Sequence, residues 1–134
     1  GGEFRVELLN KTPLPLSLHW CGLRGASGAD GVAGLNTQVA SPGGEGVWVT
    51  RVPDSGFFLA RPLVPGSSAE LAERGLSALL IVDEDTPPIV DADVAVVVDD
   101  WLLGADGALA PFGSPFAAAA LGRLGNVLGV DGSP

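Results

Sequence analysis

An all-β sandwich is the fold class that this sequence predicts, on three observations. Twenty glycines and eleven prolines interrupt the 134-residue chain at short intervals. Between them lie short runs rich in Val, Leu, Phe and Trp, the spacing of strands joined by turns. The clearest run alternates: Phe4, Val6 and Leu8 are separated by Glu3, Arg5 and Glu7, the period of a strand with one buried face. With 46% hydrophobic and 17% charged residues the chain can pack a core, and its length suits one domain, not two.

The remaining elements follow in order. Asn10-Lys11-Thr12-Pro13 turns the chain. Leu14, Leu16 and Leu18 alternate with Pro15, Ser17 and His19, predicting a second strand with His19 on the face opposite the leucines and Trp20 packed inward. Pro15 marks an edge or a bulge. Gly22 to Gly46 reads as a long loop in which glycines at 22, 25, 28, 31 and 34 supply backbone freedom. No Lys-Ser/Thr follows them, so they do not form a phosphate cradle. Val47–Val52 and Phe57–Ala60 read as a strand pair around the turn Pro53-Asp54-Ser55-Gly56. Ser67 to Arg74 predicts a helix of one or two turns with Ser68 as N-cap. Leu76–Asp83 and Val94–Val98 are near-continuous apolar runs, expected to be central strands buried on both faces. Trp48, Phe57, Phe58 and Trp101 are expected in the core. Phe116–Leu121 is read as a short helix or covering segment.

Charge and rare residues remove several function classes. Seven Lys+Arg against sixteen Asp+Glu leave a net charge of −9, which repels nucleic acid and anionic membrane surfaces. No apolar run approaches the roughly 20 residues of a membrane span. A single cysteine, Cys21, excludes an internal disulfide, and a single histidine, His19, excludes a closed Cys/His metal site. With no Met and one His, a blue-copper site cannot be assembled from this chain either. The acidic residues, among them Asp83-Glu84-Asp85 beside Pro87-Pro88, read as solvated turns; no Asp-rich loop carries the spacing of an EF-hand. The amino terminus shows no basic and apolar export signal.

Five blocks, in order, carry a family resemblance: Leu18-His19-Trp20-Cys21-Gly22-Leu23-Arg24; Asp30-Gly31-Val32-Ala33-Gly34-Leu35; Pro53-Asp54-Ser55-Gly56; Gly75-Leu76 with Leu80-Ile81-Val82; and Asp99-Asp100-Trp101. They resemble the first cupredoxin domain of the laccase-like multicopper oxidases, over the chain from Glu3 to Trp101. The family pattern is His-Trp-His-Gly-Leu, Asp-Gly-Val-Pro, Pro-Asp-Ala-Gly leading into Trp-Tyr-His-Pro-His, Gly-Leu-x-Gly-x-Leu-Ile-Val, and Asp-Asp-Trp. The resemblance implies a cupredoxin-like Greek-key β-sandwich. It also implies that histidines of the first and third blocks would help to hold a trinuclear copper cluster.

Here the sequence departs from the pattern. His19 stands at the first ligand position, but Cys21 occupies the second; with Pro62 aligned to the family's proline, Arg61 and Leu63 occupy the third and fourth. Arg does not give up its proton to a metal, and Leu has no donor atom. His19 and Cys21 are the candidate metal ligands that remain; against that role, Cys21 is expected to be a buried, inert thiol and His19 a hydrogen-bonded remnant. Arg61 is expected to pair with a local carboxylate.

By resemblance, residues 1–121 form a cupredoxin-like domain lacking the family's opening strand, and residues 122–134 form a connection to a second domain of a longer parent. The expected function is a degenerate oxidase domain with a structural or interaction role. The alternatives are a domain of a copper oxidoreductase whose remaining ligands lie on other domains or chains, or a copper-free binding module using the old cluster cleft. No cofactor is expected in this chain, with copper reserved for the parent. The expected partners are further cupredoxin domains of that parent or identical chains, in the periplasm or outside the cell.

Overall fold

A computed structural model describes residues 2–25, 30–32, 39–113 and 123–133. The regular elements of the described chain are antiparallel strands and one short helix: β1 (Glu3–Leu9), β2 (Leu18–Cys21), β3 (Glu45–Arg51), β4 (Gly56–Pro62), α1 (Ser68–Glu73), β5 (Ala78–Val82), β6 (Val98–Trp101) and β7 (Val127–Val130). They form three ladders, β1–β3, β2–β4–β5 and β6–β7. The expected segment Phe116–Leu121 lies outside the described residues.

Period-2 patterning explains the first two ladders. Phe4, Val6 and Leu8 turn inward from β1, while Gly46, Trp48 and Thr50 are buried along β3. Leu18 and Trp20 on β2 face the same interior as Phe58, Ala60 and Pro62 on β4. The two sheets meet where Phe4 packs edge-on against Trp20, with ring centroids 4.9 Å apart. Buried Leu16, Ala40, Val52, Val64 and Leu71 complete the core.

Asn10 is fully buried and closes the turn after β1. Its amide nitrogen donates to Leu14 O at 2.7 Å and Ala40 O at 2.9 Å, and its Oδ1 accepts from Thr12 N–H and Thr12 Oγ1. A bridge between Leu16 and Ala40 then ties down part of the expected long loop. Such satisfied buried amides fix one chain path, because leaving one unpaired costs about 1–3 kcal/mol.

Several expectations change. Val47–Val52 and Phe57–Ala60 are not a hairpin: β3 pairs with β1, and β4 with β2 and β5. Val52 is buried and Pro53 has no N–H to extend a ladder, so the chain crosses from one sheet to the other at this turn. Phe57 is therefore 68% exposed, while its neighbour Phe58 takes the core position.

Ser68 opens α1 instead of capping it; its Oγ accepts from Val64 N–H at 2.8 Å and donates to Val64 O at 2.9 Å. Ser67 occupies the cap without a side-chain bond, and α1 is only six residues long. Leu71 is its buried anchor, and just past its C-cap Arg74 the chain turns away at Gly75, which has φ +90°.

Neither long apolar run is a central strand. β5 is an edge strand, with Ile81 exposed. Residues 94–97 precede β6, and Val94, Val96 and Val98 lie exposed. Apolar character marked these runs as buried on both faces, but Leu79, Leu80, Val82 and Val97 are only half-buried and the others named here are exposed.

At the far end, Glu73 joins α1 to the β6–β7 ladder. Its carboxylate accepts from Leu102 N–H at 2.9 Å and forms an ion pair with Arg123, both side chains being largely buried. Arg123 also donates to Pro111 O at 2.9 Å and Ala110 O at 2.6 Å, with its guanidinium 4.3 Å from the Phe112 ring centre. Asp100 accepts from Gly125 N–H, and Asn126 exchanges two hydrogen bonds with the Leu103 backbone.

Candidate metal centre

The β2–β4 register gathers the four positions that the sequence singled out. His19 pairs with Arg61, and Cys21 with Leu59. Leu63 lies just beyond β4, its N–H bonded to Ser17 O at 3.2 Å. Because residues two apart on a strand share a face, His19, Cys21, Arg61 and Leu63 lie on one side of this sheet, opposite the core. One surface thus brings together all four positions.

His19 is the best-held member. Its Nδ1 lies 2.7 Å from the Asp30 carbonyl oxygen and 3.1 Å from Asp30 Oδ1. A carbonyl oxygen only accepts, so Nδ1 carries the hydrogen, and in the neutral ring Nε2 keeps its lone pair. Asp30 is brought there by Gly31, which has φ +79°; a Cβ at Gly31 would stand 1.6 Å from Leu18 O. Ser17 is buried beneath, its hydroxyl donating to Gly31 O. Only glycine allows this approach of the loop to β2.

Cys21 overturns its expectation: it is exposed, not buried. Trp20 takes the inward position at this end of β2, and alternation turns the next side chain to solvent. Arg61 also departs from its expected ion pair. It is exposed and makes no ion pair among the described residues, although it lines a cleft of about 200 Å³ with Glu73, Asp99, Asp100 and Arg123. Glu73 and Arg123 are committed to each other, and Asp100 to Gly125.

Sequence reasoning missed a second polar link, in which Arg24, beside Thr50 and Arg51 of β3, clamps Asp54. Arg24 Nε donates to Asp54 Oδ2 at 2.6 Å, and Arg24 Nη2 bonds Oδ1. The hydrogen bond from Arg24 and its charge, opposed by some desolvation, hold Asp54 below the usual carboxylate range. Both residues lay inside quoted motifs, but only folding makes them neighbours.

The donor set does not fit a multi-copper cluster. Among the four positions there are one imidazole and one thiol, and no group of three or more His, Cys, Asp and Glu among the described residues is arranged to hold a metal ion. One ring nitrogen and one sulfur fall short of the ligand number that such a centre needs.

The antiparallel ladders and this face define the chain as a cupredoxin-like domain. Residues 1–87 match the multicopper oxidase family pattern. The chain is 31% identical over 105 residues to the multicopper oxidase MmcO of Mycobacterium tuberculosis, a match covering 78% of this chain and 20% of that protein. A multicopper oxidase structure from Pseudomonas thermotolerans superposes with a TM-score of 0.88 at 31% identity, covering 100% of this chain and 32% of the other. The structure of Lac15 from a marine microbial metagenome gives 0.76 at 35% identity, covering 97% and 32%. The chain belongs to the multicopper oxidase family, and it spans about a third of the length of these solved relatives.

Proposed function

We propose that this chain is a degenerate first cupredoxin domain whose role in a larger oxidase-like protein is structural or one of interaction. The observation that carries this reading is the composition of the β2–β4 face. Where the family pattern has imidazoles, this face presents His19 with Cys21, Arg61 and Leu63, and the cationic Arg61 stands directly across from His19. A guanidinium beside the remaining imidazole repels a second cation. In the parent, further cupredoxin domains are the partners, and any copper is held there. A periplasmic or extracellular location is proposed on family membership alone.

A second reading rests on His19. Nδ1 is anchored on Asp30 and Nε2 is left with its lone pair, the arrangement by which an outer-shell acceptor orients a metal-binding imidazole. On this reading the domain contributes His19, with Cys21 as a soft neighbour, to a copper centre completed by other domains or chains.

Metal analysis of the purified parent separates the two readings. Copper content that is unchanged by His19→Ala and Cys21→Ser supports the structural reading. Loss of copper with either substitution supports the shared centre.

A further inference from the structure

Among the described residues β3 has a hydrogen-bonded neighbour strand on one side only, since it and β1 form a two-stranded sheet. Bonds at the ends of this ladder show which backbone groups face outward: Val52 N–H donates to Gly2 O, and Asn10 N–H to Gly44 O. In an antiparallel ladder each residue's N–H and C=O point the same way, and the direction alternates along the strand. Even-numbered residues therefore bond across the β1–β3 pair. Glu45, Val47, Val49 and Arg51 turn their N–H and C=O groups outward; no backbone bond takes these up among the described residues, and Arg51 O accepts only a long bond from Thr50 Oγ1 at 3.4 Å.

Open edges are usually blunted by charge, proline or a bulge. The outer edge of β1 is blunted in this way by Glu3, Arg5 and Glu7, and Arg5 is already paired with Glu7 at 2.8 Å. On the outer edge of β3 charge stands at the two ends and not at the centre, and Arg24 and Gly25 lie beside the Thr50–Arg51 end. The two central residues of this edge are Val47 and Val49, 43% and 41% exposed. They are flanked by Glu45 and Arg51, neither of which has an ion pair among the described residues.

We propose that two copies of this chain associate edge to edge through β3, antiparallel, about a two-fold axis at Trp48. In this register Val47 faces Val49 of the second copy, and Glu45 faces Arg51 of the second copy. Apolar β-branched pairs then form the centre, and opposite charges pair at both ends. Glu3 already lies across from Arg51 within the chain, so each Arg51 sits between two carboxylates. Moving the axis by one residue, to Val47 or to Val49, leaves one Val–Val pair in place of two and sets Glu45 or Arg51 opposite a valine, so the charge pairing is lost. Trp48 does not obstruct the axis, because its ring lies back over Gly46, where a Cβ would come within 2.4 Å of it. The marginal two-stranded unit becomes a four-stranded sheet, β1–β3–β3–β1.

Sedimentation of the 134-residue chain over a concentration series tests this. A monomer–dimer equilibrium is expected, with a limiting mass twice the 13.5 kDa of one chain. Val47→Lys with Val49→Lys sets lysines opposite lysines and should weaken association at least about tenfold, without changing the thermal melt at concentrations where the unaltered chain is monomeric, since both side chains lie on the outer face. Glu45→Lys should weaken it, and Glu45→Lys with Arg51→Glu should restore most of it, a recovery that misfolding would not produce. A chain that stays monomeric, or a dimer indifferent to these changes and lost instead with Glu7→Pro on β1, would overturn the proposal.

Discussion

His19 and Arg61 stand directly opposite each other on the β2–β4 ladder. Cross-strand neighbours in such a ladder have Cβ atoms about 5 Å apart, so the two side chains share one face of the sheet. At position 61, where the family resemblance places a histidine, this chain carries an arginine, which puts a fixed positive charge on the same face as His19.

Cys21 should react as an exposed thiol. We expect stoichiometric labelling by a thiol reagent under native conditions, at a rate within about tenfold of the unfolded chain, since exposure governs access to the sulfur. Strong protection in the native chain would contradict its place on the outer face of β2.

Much of this fold was legible in the sequence, because strand alternation records which face is buried. The Phe4-Val6-Leu8 and Leu18-Trp20 patterns show their inward faces directly. Pairing is different, since period-2 patterning is blind to which strand lies alongside. That is why β3 and β4, adjacent in sequence, part to different sheets at Pro53. Apolar runs mislead for a related reason: composition reports a wish for burial, and Val94, Val96 and Val98 find no cover among the described residues. At the site, the ligand positions could be read from motif spacing, whereas the Asp30 anchor on His19 and the Arg24–Asp54 clamp depend on loops whose approach no local pattern encodes.

Glu73 and Arg123 form a largely buried pair that joins α1 to the carboxyl-terminal ladder. Glu73→Ala leaves a guanidinium and the Leu102 N–H without their partner and should cost about 3 kcal/mol, measured by denaturant unfolding. Arg123→Lys keeps the charge but loses the fork that reaches Ala110 and Pro111, and is expected to fall between wild type and Glu73→Ala. Equal stability of all three chains would show that this link does not hold the two parts together.

The Arg24–Asp54 clamp gives stability a pH dependence of defined sign. Asp54 titrates lower when folded than when unfolded, so its contribution is present above the unfolded value of about 4 and is lost as pH falls through the folded value. Arg24→Ala should return the Asp54 midpoint, followed by carboxyl NMR, toward the ordinary range and flatten this acid limb. An unchanged midpoint would mean that the clamp does not form in solution. The gain is modest in any case, because the pair is solvent-accessible.

The most direct test of the central claim is the copper content of the purified 134-residue chain after loading with copper and desalting, with dioxygen uptake on a phenolic substrate followed in parallel. One imidazole and one thiol on the β2–β4 face cannot hold a cluster, so no stoichiometric copper and no uptake are expected. The variant carrying Cys21→His, Arg61→His and Leu63→His should retain copper, since these positions share a face with His19, yet still oxidise nothing. Copper near one or more per unaltered chain, accompanied by dioxygen uptake, would contradict the account.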